Sequence, residues 1–304
     1  MTTLPMPSGA HRSGVALFVL RGIGRLPLRA SRTLGALLGW IAYAASPGYR
    51  RKIRSNLRRA GFDAPAMRWR VAGEAGRTMG ELPWVWTRPL AQVAARVACR
   101  PDDIQVLEDA ERAGRGVLFV TPHLGAFDVA ARWYATRAPI TVLFKPPRKT
   151  WLRPLVAFVR NRDAMRAVPP TLGGLRALLR ALRARQAVGL LPDQVPSAGE
   201  GRWAPFFGEH AYTMTLPERL VQQTGARVVV AVCERVARPP GWRLRVESMR
   251  EAPAAEALNA RLQQTILRTP EQYLWGYNRY RRPPGAPQRE EAGSQSVGGS
   301  GGAG

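Results

Sequence analysis

The sequence predicts an α/β fold, a mixed and largely parallel sheet flanked by helices, entered through an N-terminal membrane-associated helical segment. Three observations carry this prediction. Short, continuously apolar runs bounded by Gly, Pro or polar residues alternate with stretches of helical period, as buried parallel strands and their crossover helices do. The chain before Asp63, its first acidic residue, mixes arginines with Leu, Ile, Trp and Gly. With 304 residues, 45% hydrophobic and 22% charged, the chain can bury a sizeable core and is far from a disordered composition.

From Gly14 to Ser46 the chain is apolar but carries Arg21, Arg25, Arg29 and Arg32, which at about 100° per residue share a narrow arc of one helical face. Pro27 lacks an N–H and clashes with the preceding turn, so it kinks or divides the segment. The charge-free run from Thr33 to Ser46 is shorter than the roughly 20 apolar residues a bilayer span requires, which predicts anchoring in one leaflet. No small-residue cleavage site is suitably placed, so the segment is expected to be retained. A buried amphipathic helix of the fold is the alternative. Residues 1–49 are therefore read as an anchoring segment and residues 50–284 as one folded domain. The tail from Pro283, rich in Gly, Ser and Pro, leaves 285–304 as a disordered end.

Within the domain, helical patterns cover Arg50–Ala60, Met67–Val85 and Asp102–Arg112. Gly116-Val117-Leu118-Phe119-Val120 reads as a fully buried strand, followed by a helix over Asp128–Ala135. Ile140–Phe144 is a second strand, and Val168 ends a connection into the helix Leu172–Arg185. Ala187–Leu191 and Val228–Cys233 are further strands, Trp242–Val246 is a candidate edge strand, and Ala254–Leu267 is a late helix.

The charge narrows the partners. Lys and Arg number 46 against 21 Asp and Glu, a formal net charge of +25. Such an excess self-repels unless nucleic acid, anionic membrane or a phosphorylated substrate is near. Basic residues interleaved with apolar ones suit an anionic membrane surface. A nucleic-acid-binding protein would explain the charge but not the apolar start, and neither zinc-finger spacing nor an RNA-recognition aromatic motif is present. Three histidines form no ligand cluster, so neither metal nor cofactor is expected. Cys99 and Cys233 stand in no ligand spacing and read as small buried residues in a reducing compartment.

The chemistry concentrates after the first strand, in Thr121-Pro122-His123-Leu124-Gly125-Ala126-Phe127-Asp128. Ligands of α/β sheets bind at the carboxyl ends of strands. There a neutral imidazole can take a proton from an alcohol while a carboxylate holds its other ring nitrogen. This is the logic of a Ser-His-Asp triad with the substrate's hydroxyl replacing serine. A His and an Asp at this spacing also arise by chance, and a His beside Pro is commonly a packing residue. His11 lies in the chain's start and His210 in a polar loop, so His123 is the best base available, with Asp128 as its partner.

Further blocks support a resemblance: Leu190-Leu191-Pro192-Asp193-Gln194-Val195-Pro196, Trp203-Ala204-Pro205-Phe206-Phe207-Gly208 with Ala211-Tyr212-Thr213-Met214-Thr215, and Pro270-Glu271-Gln272-Tyr273-Leu274-Trp275. Together with the His-Asp pair, over roughly Arg50 to Arg282, they resemble the lysophospholipid acyltransferase superfamily and, within it, the lauroyl/myristoyl acyltransferases of lipid A biosynthesis. The resemblance implies an acyl donor on acyl carrier protein, a Kdo-bearing lipid A precursor as acceptor, and a site on the cytoplasmic face of a bacterial inner membrane. A glycerophospholipid or glycolipid acceptor is the alternative, against which the Pro192–Pro196 and Trp203–Gly208 stretches weigh.

The same resemblance implies direct attack of a hydroxyacyl hydroxyl on the thioester. Arg162 lies where relatives carry a functional arginine and either stabilises the oxyanion or is a surface arginine of an arginine-rich chain. Lys145 and Arg148 follow the second strand and suit phosphates or Kdo carboxylates, or form a solvated basic loop. Asp193, just past the third strand, rivals Asp128, since some members of the wider superfamily orient the histidine with a carboxylate from this region. Gln194 is grouped with substrate binding, as are Trp203 and Phe206, which either line an acyl channel or pack a loop. Arg176, Arg180, Arg183 and Arg185 form a basic helix face, either solvated or a dock for the acidic carrier protein or the bilayer. Arg202 departs from relatives, which often have an apolar residue there.

Overall fold

The computed structural model describes residues 8–145, 164–237 and 241–289. Helices α1 (Ser8–Gly24) and α2 (Leu28–Ala45) divide at Pro27, which takes the N-cap of α2. Ser46 accepts a hydrogen bond from the Tyr49 amide and Pro47 opens α3 (Pro47–Arg59), two start signals in adjacent residues. The long α4 (Pro65–Thr87), α5 (Leu90–Ala94), β1 (Val97–Cys99) and α6 (Pro101–Arg112) lead into β2 (Val117–Val120), α7 (Phe127–Tyr134) and β3 (Ile140–Leu143). After the undescribed stretch come β4 (Met165–Val168), α8 (Leu172–Arg183), β5 (Ala187–Leu190), the hairpin β6 (Gly201–Phe206) and β7 (Glu209–Met214), and α9 (Leu216–Thr224). The chain continues through β8 (Arg227–Arg235), β9 (Trp242–Met249), α10 (Ala255–Arg268) and a 3-10 turn at Pro270–Gln272.

The main sheet has seven strands in the order β1-β9-β8-β2-β5-β3-β4. β8 and β9 pair antiparallel, and every other described pairing in this sheet is parallel. The mixed, mostly parallel α/β architecture is thus as the sequence predicts, with two differences. Trp242–Met249 is an interior strand between β8 and the three-residue β1, which takes the edge. Val168 ends a strand rather than a connection.

Because side chains alternate across a strand, β2 and β8 feed two cores. Leu118, Val120, Val228, Val230 and Val232 pack with residues of α3, α8 and α10 on one face. Val117, Phe119, Val229, Ala231 and Cys233 pack with residues of α5, α6 and α7 on the other. Burial of both faces explains why these strands read as unbroken apolar runs.

The N-terminal helices are part of the same body. Ser31, Gly35 and Gly39 of α2 face Ala72, Gly76 and Gly80 of α4, and a Cβ on Gly35, Gly39, Gly76 or Gly80 would strike a backbone carbonyl oxygen of the opposite helix. Such small residues let two backbones approach until side chains of neither intervene. Below this crossing Glu81, 1% exposed, accepts from Arg32 Nε at 2.9 Å, Arg235 Nη1 at 3.2 Å and Trp242 Nε1 at 3.2 Å. Arg235 also binds Glu74 at 2.9 Å. Arg32 therefore leaves the arginine arc read from the sequence and turns into the protein. At the other end, the ordered chain continues past the predicted boundary: Ala286 is buried beside Val195, Trp203 and Tyr212, and Trp203 Nε1 donates to the Pro287 carbonyl at 2.9 Å. No described helix is long and apolar enough to cross a membrane.

Candidate active site

β2 and β5 lie side by side in register, Val120 opposite Leu190. The Thr121 amide extends the ladder to the Leu190 carbonyl at 3.0 Å. His123 and Asp193 each follow their strand end by three residues, so the parallel register itself delivers them to one point above the sheet. His123 Nδ1 lies 2.7 Å from Asp193 Oδ1, and the His123 amide donates to Asp193 Oδ2 at 2.8 Å. Both carboxylate oxygens thereby contact one residue.

The loop after β2 is held from below and behind. The His123 carbonyl accepts from the Leu274 amide at 3.0 Å, the Gly125 amide donates to the Gln272 carbonyl at 3.0 Å, and the Ala126 amide donates to the Cys233 carbonyl at 2.7 Å. Gly125 has φ +61° and a Cβ there would strike the Cys233 carbonyl, so glycine is required twice over. The third sequence block thus acts as a brace on the loop that carries His123, which only the fold could show.

Asp193 is 2% exposed. Burial alone pushes its carboxyl up, but the His123 charge, two hydrogen bonds from His123 and the nearby Arg279 guanidinium together hold it below the usual carboxylate range. The Tyr273 hydroxyl hydrogen-bonds the same carboxylate, and desolvation followed by the Asp193 charge pushes that phenol well above its ordinary value. Arg279 is buried beneath, donating to the Tyr212 carbonyl at 2.7 Å and to Thr213 Oγ1 at 2.6 Å. Tyr273 belongs to the Pro270–Trp275 stretch, whereas nothing in the sequence marks Arg279. In the neutral ring with Nδ1–H donating to the carboxylate, Nε2 carries the lone pair, and the Gln194 side-chain nitrogen stands 3.1 Å from it.

Asp128, placed first as the partner of His123 on spacing, is positioned otherwise. Its carboxylate accepts from Trp86 Nε1 at 2.7 Å and Arg132 Nε at 3.1 Å, tying the first turn of α7 to the end of α4. The spacing from Asp128 to Arg132 is that of an i,i+4 ion pair, a signal the sequence held. Asp193, the rival, is the carboxylate on the ring. The reason is topological: β5 neighbours β2 in space although 70 residues separate His123 from Asp193.

Of the remaining predicted residues, Lys145 is exposed just past the end of β3, at the same sheet edge. Arg148 and Arg162 lie outside the described residues. Trp203 packs against Tyr212 in the hairpin and Phe206 lies in the core under Tyr280 and the Arg279 guanidinium. Both aromatics are buried rather than lining an open groove. Arg202 pairs with Glu218 at 2.9 Å on the hairpin's outer face. Arg176, Arg180 and Arg183 are exposed along α8. Among the described residues no group of three or more His, Cys, Asp and Glu is arranged to hold a metal.

The chain is 28% identical over 194 residues to the lipid A biosynthesis palmitoleoyltransferase of Escherichia coli (strain K12), a match covering 60% of this chain and 62% of that protein. It is 23% identical over 280 residues to the lipid A biosynthesis lauroyltransferase of the same strain, covering 88% of this chain and 86% of the relative. A lipid A biosynthesis acyltransferase of Haemophilus influenzae matches at 21% over 178 residues, 57% of this chain and 56% of that protein. The match to the palmitoleoyltransferase thus leaves more than a third of that relative uncovered. A profile of the family described as bacterial lipid A biosynthesis acyltransferase spans residues 9–282, from α1 to beyond the brace on the His123 loop, and the chain belongs to that family.

Proposed function

We propose that this protein transfers a fatty acyl chain from acyl carrier protein to a hydroxyacyl group of a Kdo-bearing lipid A precursor, with His123 as general base and Asp193 as the group that orients it. One observation carries the reading: a strand-end histidine whose Nδ1 lies 2.7 Å from a buried carboxylate, a contact that in the neutral Nδ1–H ring leaves Nε2 free to accept a proton. The acceptor hydroxyl gives its proton to Nε2 as its oxygen attacks the thioester carbonyl. The carbon–sulfur bond then breaks and the imidazolium returns the proton to the leaving thiol. Asp193 stabilises the imidazolium between these steps.

Asp128 serves by holding α7 against α4. Lys145, with Arg148, meets the acceptor's phosphates or Kdo carboxylates, and Arg162 stabilises the oxyanion. The protein works on the cytoplasmic face of the inner membrane, bound by the exposed apolar faces of α1 and α2. General-base catalysis contributes on the order of 10²–10⁴-fold, so His123→Ala in a folded protein should lose about that much acyl transfer. Asp193→Asn should lose activity by favouring the wrong tautomer, and the loss should exceed that of Asp128→Asn. Mass spectrometry of precursor incubated with acyl carrier protein thioesters reads all three. Near-normal transfer by His123→Ala would falsify the mechanism.

A further inference from the structure

The dipeptide Asp193-Gln194 grips both nitrogens of one imidazole: Asp193 takes Nδ1 at 2.7 Å and the Gln194 side-chain nitrogen meets Nε2 at 3.1 Å. In the neutral ring whose one proton sits on Nδ1 and is donated to the carboxylate, Nε2 is an acceptor, and the Gln194 amide NH₂ is a donor that suits it. The backbone that presents Gln194 is pinned on either side. Asp193 is buried, and the Val195 amide donates to the Tyr277 hydroxyl at 3.0 Å while its side chain packs beside Trp203, Tyr212 and Ala286. Gln194 itself is exposed. An exposed side chain on a pinned backbone can swing away without disturbing the fold.

We propose that Gln194 caps the base and restrains thioester hydrolysis until the acceptor arrives, an inference that rests on His123 being the base. The competing reaction needs only water. Its oxygen would bond to the thioester carbonyl carbon, Nε2 would take its proton, the carbon–sulfur bond would break and the thiol would leave with that proton, giving a free fatty acid. A water reaching Nε2 must displace a tethered donor and gains one hydrogen bond where one is lost. An acceptor lipid brings apolar surface into the site, and burying even a few methylenes outweighs one neutral hydrogen bond. The cap therefore discriminates by size of binding energy.

The test uses the full chain with lauroyl–acyl carrier protein, with and without tetra-acylated Kdo-bearing precursor, following free laurate and acylated precursor together. In Gln194→Ala the ratio of hydrolysis to transfer should rise roughly three- to tenfold, the fold-change matching one neutral hydrogen bond. Gln194→Met, of similar size but without a donor, should do the same, and an unchanged melting temperature confirms that both remain folded. An unchanged ratio in both variants overturns the cap. Equal loss of hydrolysis and transfer also overturns it, because Gln194 would then assist the reaction itself. The parent reading fails separately: if His123→Ala keeps transfer, the base is elsewhere. If His123→Ala is inactive while the Gln194 variants keep the wild-type ratio, only the cap is wrong.

Discussion

Two carboxylates follow His123 in the chain, and reach decides between them. Asp193 touches the ring nitrogen and the backbone amide of one residue, whereas Asp128 is engaged by Trp86 and Arg132. The Asp193 contact also sets a pH signature. Its carboxyl is held lower in the folded protein than in the unfolded chain, where it sits near 3.9. A carboxylate of this kind stabilises the fold fully above its unfolded value, and that contribution is lost as pH falls through the lower folded value. Stability measured by denaturant unfolding should therefore show the widest gap between wild type and Asp193→Asn above about pH 4, closing as the pH falls further. A constant gap down to pH 2 would mean that the pair does not contribute through its charge. The cysteines are quiet by comparison: burial, then the Glu81 charge, pushes the Cys233 thiol well above its ordinary value, and desolvation with Asp103 takes Cys99 up to about 11.

Among the elements, β2, β3, β5 and β8 were visible as apolar runs because both faces of each are covered, while β1 and β4 were not. β1 has three half-buried residues, and β4 is buried only at its two ends, Met165 and Val168. Neither makes an apolar run. Strand order was beyond reach of the sequence, since it depends on where crossovers land, and with it went the choice of Asp193. The α2–α4 crossing shows the same divide. Small residues at four-residue spacing occur in both segments, Ser31, Gly35 and Gly39 against Ala72, Gly76 and Gly80, but their facing one another is a property of the packed pair. Gly76→Leu should lower stability by about 1–3 kcal/mol or more, the usual effect of overpacking. Gly48→Ala, in a helix position with nothing within 4 Å of an added Cβ, is the control. Equal melting temperatures for the two variants would show that the helices are not in close contact.

For the whole molecule, the question is where an excess of 25 positive charges meets an apolar surface. Leu34, Leu37, Leu38 and Ile41 recur at helical spacing on α2 and are 49%, 45%, 66% and 61% exposed, and Phe18 on α1 is 77% exposed. Glycines cover the opposite face of α2 where it meets α4, and Arg32 fastens that face to Glu81. The apolar face is thus left outward by a rigid attachment. Arg51, Lys52, Arg54 and Arg58 of α3 are exposed on the element that follows, as an anionic lipid surface requires. Burying one Leu or Ile contributes roughly 1.5–3 kcal/mol, so Leu38→Ser with Ile41→Ser should lower partitioning onto anionic vesicles by about a hundredfold or more. Replacing Arg51 and Lys52 by Ala should weaken it less, by an amount that vanishes as salt rises, since each surface charge contributes about 1 kcal/mol and is screened. Sedimentation with vesicles at low and high salt separates the two contributions. Both side-chain pairs point away from the core, so the fold should be unaffected, and transfer to a soluble short-chain acceptor should persist in both variants while transfer to vesicle-embedded precursor falls. If the doubly substituted α2 still sediments with vesicles as the wild type does, the outward face of α2 is not a lipid-binding surface.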